Sequence, residues 1–165
     1  MTRIIVCDTG PLLHLSEAGA VHLLSMAGRV LIPPLVVVEF EANAQGWQHP
    51  QWVKKVSLRR STHQKVTRWI EAKQIDAGEA EAIGLALQEK ADWFLTDDAK
   101  ARQFAESLGL DVHGSIAVLL WSIATGQIQD KVTVVRLLDN LAISYLWISD
   151  RVLQEAHIAI DDLFE

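Results

Sequence analysis

Arg3-Ile4-Ile5-Val6-Cys7-Asp8-Thr9-Gly10-Pro11 is the stretch on which the fold turns. Residues 3–7 are a short apolar run and read as a buried strand, since a strand covered on both faces needs only a few consecutive apolar residues. Asp8 follows directly. Gly10-Pro11 marks the change of direction, and Pro11 suits the opening of a helix. The run is too short for a signal peptide and has no small-residue cleavage site behind it. The one cysteine, Cys7, sits inside the run. It reads as a core residue rather than a nucleophile, and a chain without disulfides is expected in the cytoplasm.

The same alternation recurs downstream. Residues 30–32, 92–96 and 110–112 read as further strands, and residues 52–58 as an extended edge segment. Between them lie helical patterns. Leu12, Leu13, Leu15, Val21, Leu23 and Leu24 suggest one or two short helices interrupted near Gly19. Pro33-Pro34 starts a helix that runs to about Asn43. A loop rich in Gln and Trp follows over residues 44–51. Residues 62–73 form a helix with Thr62 as a possible cap, and residues 76–90, rich in Ala, Glu and Leu, form the clearest helix. Residues 99–108 stop at Gly109, and residues 115–125 at Gly126. Two more helices are expected over residues 131–141 and 150–160. Strands alternating with helices predict an α/β fold: three layers, α/β/α, around a parallel sheet of about four to five strands. With 165 residues, half of them apolar, one domain spanning 1–165 is expected. No apolar run reaches the length of a membrane span, so no membrane partner is expected.

In such sheets, ligands bind beyond the C-terminal strand ends. Asp8 ends the first strand, where it either contributes to a site or caps the next helix. Glu39 shares a helical stripe with Leu35, Val36 and Ala42, with Asn43 a turn later, and an ionised glutamate on an apolar stripe is costly unless paired or metal-bound. In Gly78-Glu79-Ala80-Glu81-Ala82-Ile83, Glu79 falls about 40° from Ile83 on the helical wheel, beside Ala86 and Leu87. Glu81 falls nearly opposite and is expected to face water. Asp97 and Asp98 directly follow Trp93-Phe94-Leu95-Thr96. One of them can cap the helix beginning near Ala99; two caps are more than one helix needs. Gathered carboxylates repel one another, and a hard divalent cation with oxygen ligands removes that penalty. Bound beside a phosphodiester, such a cation activates water and stabilises charge on a phosphoryl oxygen.

Net charge is −6, which argues against nucleic-acid binding by overall charge but not against a nuclease whose metal supplies local positive charge. The cations are uneven. Lys54, Lys55, Arg59, Arg60, Lys65, Arg68 and Lys73 fall in one stretch with Glu71 as its only acid. It is either a solvated surface or a phosphate-contacting flank, and Lys54, Lys55, Arg59 and Arg60 are the substrate-binding candidates it offers. Trp47 and Trp52 flank the loop beside it and offer stacking surfaces; most of the tryptophans are expected in the core.

Four segments, in order and spacing, resemble the PIN-domain ribonuclease superfamily, and more closely a DUF3368-like group related to the VapC-type toxins of toxin–antitoxin pairs. They are Val6-Cys7-Asp8-Thr9-Gly10-Pro11-Leu12-Leu13, Ile32-Pro33-Pro34-Leu35-Val36-Val37-Val38-Glu39, Gly78-Glu79-Ala80-Glu81-Ala82-Ile83-Gly84-Leu85-Ala86 and Leu95-Thr96-Asp97-Asp98-Ala99-Lys100-Ala101-Arg102. Gly109-Leu110-Asp111-Val112-His113-Gly114-Ser115 also resembles the subgroup. The resemblance covers roughly residues 3–125. It implies a Mg²⁺ or Mn²⁺ site of Asp8, Glu39, Glu79 and Asp97, with Asp98 an alternative or an addition, and Thr9 and Thr96 positioning a ligand or water. Two departures stand out. Glutamates occupy the third segment where the family often has aspartate, and the family's Thr-any-Asp pattern becomes Thr96-Asp97-Asp98, which leaves the register open.

Other chemistries lack their residues. The six histidines (His14, His22, His49, His63, His113, His157) have no close ligand spacing, and His14 reads as a surface or core residue. No phosphate loop ending in Gly-Lys-Ser/Thr and no Gly-x-Ser-x-Gly elbow is present. Asp8-Thr9-Gly10 lacks the second aspartate of a haloacid-dehalogenase-like phosphatase. The resemblance implies a Mg²⁺- or Mn²⁺-dependent endoribonuclease, the toxin of a toxin–antitoxin pair; the alternative is a non-catalytic PIN-like scaffold binding RNA or protein. The resemblance implies RNA as substrate, a small antitoxin as partner, and a homodimer, for which residues 116–123 and 143–148 are candidate surfaces, although most of these are expected in the core.

Overall fold

The central strands are too apolar to tolerate water on either face, and the chain covers both. The computed structural model describes residues 2–44, 48–144 and 148–165. Five strands form one sheet in the order β3-β2-β1-β4-β5, every neighbouring pair parallel. They are β1 (Ile4–Cys7), β2 (Arg29–Ile32), β3 (Val53–Lys55), β4 (Trp93–Leu95) and β5 (Val112–His113). In register, Ile5 lies between Val30 and Trp93, and Cys7 opposite Leu95. Ile5, Val6, Cys7, Phe94 and Leu95 are fully buried. Burial pushes the Cys7 thiol well up from its usual value, so it is packing and not a nucleophile.

The helices are α1 (Thr9–Glu17), α2 (His22–Ala27), α3 (Pro34–Asn43), α4 (Arg60–Glu71), α5 (Ala77–Gln88), α6 (Ala99–Ser107), α7 (Ser115–Ala124), α8 (Lys131–Ile143) and α9 (Asp150–Leu163). They form the outer layers of a three-layer α/β/α architecture. α5 lies on β1 and β4 and packs against α3 and α4, while α7 packs against α2, α8 and α9. α1, α6 and α7 are followed by Gly19, Gly109 and Gly126 in the left-handed region, with φ of 76°, 86° and 74°. No described helix is long and apolar enough to cross a membrane.

Three local expectations need correction. The fifth strand is not residues 110–112 but Val112–His113, because its pairing with β4 is set by Phe94 N–H to Asp111 O and Thr96 N–H to His113 O, while Leu110 N–H turns back to Ala105 O. Thr62 does not cap α4. The helix starts two residues earlier behind Arg59, whose backbone N–H donates to Gln88 Oε1 at 2.8 Å. Thr62 instead packs against α5, where a β-carbon on Gly84 would lie 3.2 Å from its Cγ2 and 2.5 Å from Val66 Cγ2. Glu81 does not face water either: it is half-buried, and its Oε1 accepts from Leu35 N–H at 3.2 Å. α3 begins behind Pro33, which has no side chain to cap with, so α5 supplies the carboxylate. Trp69 packs edge-on to Phe104, and Trp93 edge-on to Trp121. Trp47 and Trp147, part of the loop over residues 44–51, and part of the 143–148 surface lie outside the described residues.

Candidate functional site

The strand order reverses between β1 and β4. Successive crossovers leave this point in opposite directions and open a crevice at the C-terminal strand ends. Asp8 follows β1, and Thr96-Asp97-Asp98 follow β4. Asp8 N–H donates to Leu95 O at 2.9 Å, so the strands stay paired up to the crevice floor. α3 brings Glu39 to the same edge and α5 brings Glu79. The two helices close on each other because Gly78 has no side chain: a β-carbon there would run into the Glu39 carboxylate. The resulting cleft, about 450 Å³, is lined by Asp8, Glu39, Glu79, Asp97, Asp98 and His14, with Thr9, Gly10, Thr96 and Ala99.

Each carboxylate is held differently. Asp8 is 6% exposed and serves both roles considered for it. Its Oδ1 caps α1 by accepting from Thr9 N–H at 2.8 Å, and its Oδ2 accepts from the Thr96 hydroxyl at 3.1 Å. Thr96 is fully buried, and its Oγ1 in turn accepts from Asp98 N–H at 3.2 Å. The Thr9 hydroxyl donates to Glu39 Oε2 at 2.7 Å. Both threonines thus aim at carboxylates. One of the two aspartates caps α6, and the other serves a different helix. Asp98 Oδ2 accepts from Ala101 N–H at 2.8 Å and caps α6. α7 begins behind Gly114, which has no capping group, and Asp97 supplies it: Oδ1 accepts from Ser115 N–H at 2.8 Å and Oδ2 from the Ser115 hydroxyl at 2.5 Å. His14 Nδ1 lies 2.8 Å from the same Oδ2.

Burial and the repulsion of neighbouring carboxylates make Asp8 and Glu79 reluctant to ionise. Burial chiefly pushes Asp8 up from 3.8 to about 6, against the pull of the Thr9 and Thr96 hydrogen bonds, with Glu39 and Asp98 adding repulsion. Glu79 is pushed up from 4.5 to about 7, again by burial first, then by the charges of Asp98, Asp8 and Asp76. The charge of Asp98 acts on both Asp8 and Glu79. Asp97 is committed to Ser115 and His14.

The donors are oxygens, the kind a hard divalent cation takes. Their present arrangement is open: among the described residues, no group of three Asp, Glu, His or Cys side chains converges closely enough to hold a metal ion. Glu39 is turned to Thr9 and Asp97 to its two partners, so a cation would have to draw these side chains inward.

The other candidates lie elsewhere. None of Lys54, Lys55, Arg59 and Arg60 lines the cleft. Arg59, bonded to Gln88, sits at the opposite end of α5 from Glu79, about 13 Å away along the helix. Lys54 borders a separate cavity with Ser25, Arg29 and Trp52. Sequence reasoning passed over His14 and Ser115 as site residues. Both were within reach of the same edge rule: His14 lies one turn beyond Gly10 on α1, and Ser115 starts the helix after β5.

A search of the curated proteins found no match. The family DUF3368, described as PIN domain, matches residues 4–161, nearly the whole chain, and the protein belongs to this PIN-domain family.

Proposed function

We propose that the protein is a Mg²⁺- or Mn²⁺-dependent endoribonuclease, with Asp8, Glu39, Glu79 and the Asp97-Asp98 pair as its acidic site. The observation that carries this reading is that five carboxylates, from four separate segments, line one crevice, in which Asp8 is pushed up to about 6 and Glu79 to about 7. Such a site gains from a cation that offsets burial and repulsion among its carboxylates. The bound cation supplies Lewis acidity toward a phosphoryl oxygen and lowers the pKa of water at the site. Asp8, Glu79 and Asp98 act on one another electrostatically and are the ligands proposed first, with Glu39 released from Thr9 as the next. Asp97 holds α7 and His14 in place and borders the site. Thr96 orients the Asp8 carboxylate, and Thr9 that of Glu39. The cations of residues 54–60 are left out of this reading because none reaches the cleft.

Family membership supports the wider setting we infer: a toxin restrained by a small antitoxin protein, acting as a homodimer in the cytoplasm. Of the two surfaces considered for the dimer, Val118 and Leu119 on α7 are buried in the core, whereas Ile143 at the end of α8 is 83% exposed. The second reading, a PIN-like scaffold that binds RNA or protein without cleaving it, is favoured by one observation, the absence of any three converging ligands among the described residues.

The test is RNA cleavage by the purified chain with Mg²⁺ and Mn²⁺, beside Asp8→Asn and EDTA controls. The nuclease reading predicts cleavage abolished in both controls. A folded, cation-binding protein that leaves RNA intact establishes the scaffold, and cleavage surviving Asp8→Asn marks a contaminant.

A further inference from the structure

Among the described residues, Arg102 is the one lysine or arginine lining either the acidic cleft or the cavity that shares its Asp97 wall. This neighbouring cavity, about 330 Å³, lies between α6 and the starts of α7 and α9, with Ile116, Ala117, Ile148 and Val152 as apolar walls. Its volume is at the lower end of the roughly 300–1,000 Å³ of small-ligand sites. Asp97 and Arg102 meet at Gly114, where a β-carbon would lie 2.8 Å from Asp97 Oδ1 and 3.2 Å from Arg102 Nη2. A side chain at 114 would therefore stand between the cleft and the cavity. Arg102 Nη1 donates to Val112 O at 3.2 Å, which tethers the guanidinium to β5. Its other contact, Glu106 Oε1 at 3.8 Å on the next turn, is a loose and partly exposed pair. A guanidinium has five N–H donors, and among the described residues one is used in a hydrogen bond.

We propose that this cavity is a nucleotide subsite: it receives the base next to the scissile phosphate of a single-stranded RNA, and Arg102 pairs with the adjoining phosphate. The argument is one of charge and shape. A polyanion crossing a cleft of five carboxylates needs a cation beside it, and the basic stretch of residues 54–60 does not reach the cleft. Arg102 lines the adjoining cavity, on the far side of the shared Asp97 wall, and its planar guanidinium fork suits phosphate. The apolar walls accept the face of a base. The proposal rests on the ribonuclease reading for its choice of ligand.

The experiment is anisotropy titration of fluorescein-labelled hexaadenylate, and of an abasic ribose-phosphate oligomer of equal length, in Ca²⁺. Wild type is expected to bind hexaadenylate more tightly than the abasic strand. Arg102→Ala and the cavity-filling Ala117→Leu should each weaken hexaadenylate binding about tenfold, with melting temperature and Mn²⁺ affinity unchanged. Ala117→Leu leaves the Val112 hydrogen bond untouched and covers the case in which Arg102→Ala loosens β5. Unchanged affinity in both folded variants, or a wild type blind to the base, overturns the proposal and leaves the cavity to an apolar peptide side chain. Base-sensitive binding by a protein that cleaves nothing keeps the subsite and removes the nuclease. Cleavage with unchanged binding in both variants does the reverse.

Discussion

The acidic cleft and the basic stretch of residues 54–73 are opposites in how sequence maps onto space. The cations adjoin in sequence but disperse over an edge strand and a helix. Lys54, Lys55, Arg59 and Arg60 are all exposed, and Arg59 lies at the far end of α5 from the cleft. The carboxylates are separated by up to ninety residues (Asp8 to Asp98) yet meet in one crevice. Density along the chain thus says little about a site; position relative to strand ends says much. Water screens the exposed cations, whereas the burial of Asp8 strengthens its interactions with the carboxylates around it.

Substitutions in the two regions should therefore differ in scale. Asp8→Asn should lower cation-dependent cleavage by about a hundredfold or more, the scale of losing a preorganised electrostatic group. The same change should stabilise the cation-free protein by about 1 kcal/mol, since it removes a buried charge, keeps an oxygen to accept from Thr9 N–H and turns an amide N–H toward the Thr96 hydroxyl oxygen. Chemical denaturation in EDTA measures this, and a loss of stability there would show that the Asp8 charge is a structural asset.

The cleft was legible in part, and the reasons are physical. Asp8 and Asp97-Asp98 were visible because a polar residue after an apolar run marks a strand end. Glu79 stood out against Glu81 by helical angle, but the angle could not show that Glu81 caps α3, because a cap donated by another helix has no local signature. The roles of Asp97 and Asp98 were hidden for the same reason: Asp98 caps its own helix, while Asp97 caps one that begins 18 residues later. The sheet order was implied only as far as parallel strands and short connections allow.

Gly78→Ala comes next in size. Its β-carbon would collide with the Glu39 carboxylate, the far end of a flexible side chain, so the variant should displace Glu39 from Thr9, lower cation-dependent cleavage and cost less than about 1 kcal/mol of stability. Unaltered melting and cleavage would mean that the close approach of α3 and α5 is incidental.

Stability should also depend on pH in a stated direction. The folded values of Asp8, about 6, and Glu79, about 7, lie above 3.8 and 4.5. The folded chain therefore holds protons that the unfolded chain has released. The stability these groups contribute is complete below pH 4 and is lost as pH rises through 6 to 7. In EDTA the melting temperature should fall over that range, and Asp8→Asn should flatten the slope.

The smallest effects belong to the basic stretch. Lys54→Ala and Arg60→Ala should each change stability by less than about 0.5 kcal/mol and leave cleavage nearly unaltered. A large loss of cleavage would return this flank to the substrate path.

The central claim is that the crevice beside Asp8 and Glu79 is a divalent-cation site. Calorimetric titration of Mn²⁺ into the purified protein between pH 5.5 and 8 tests it most directly. Saturable binding that tightens through pH 6–7, releases protons and vanishes in Asp8→Asn is the predicted result. Absence of saturable binding, or binding equal in wild type and Asp8→Asn, would contradict it.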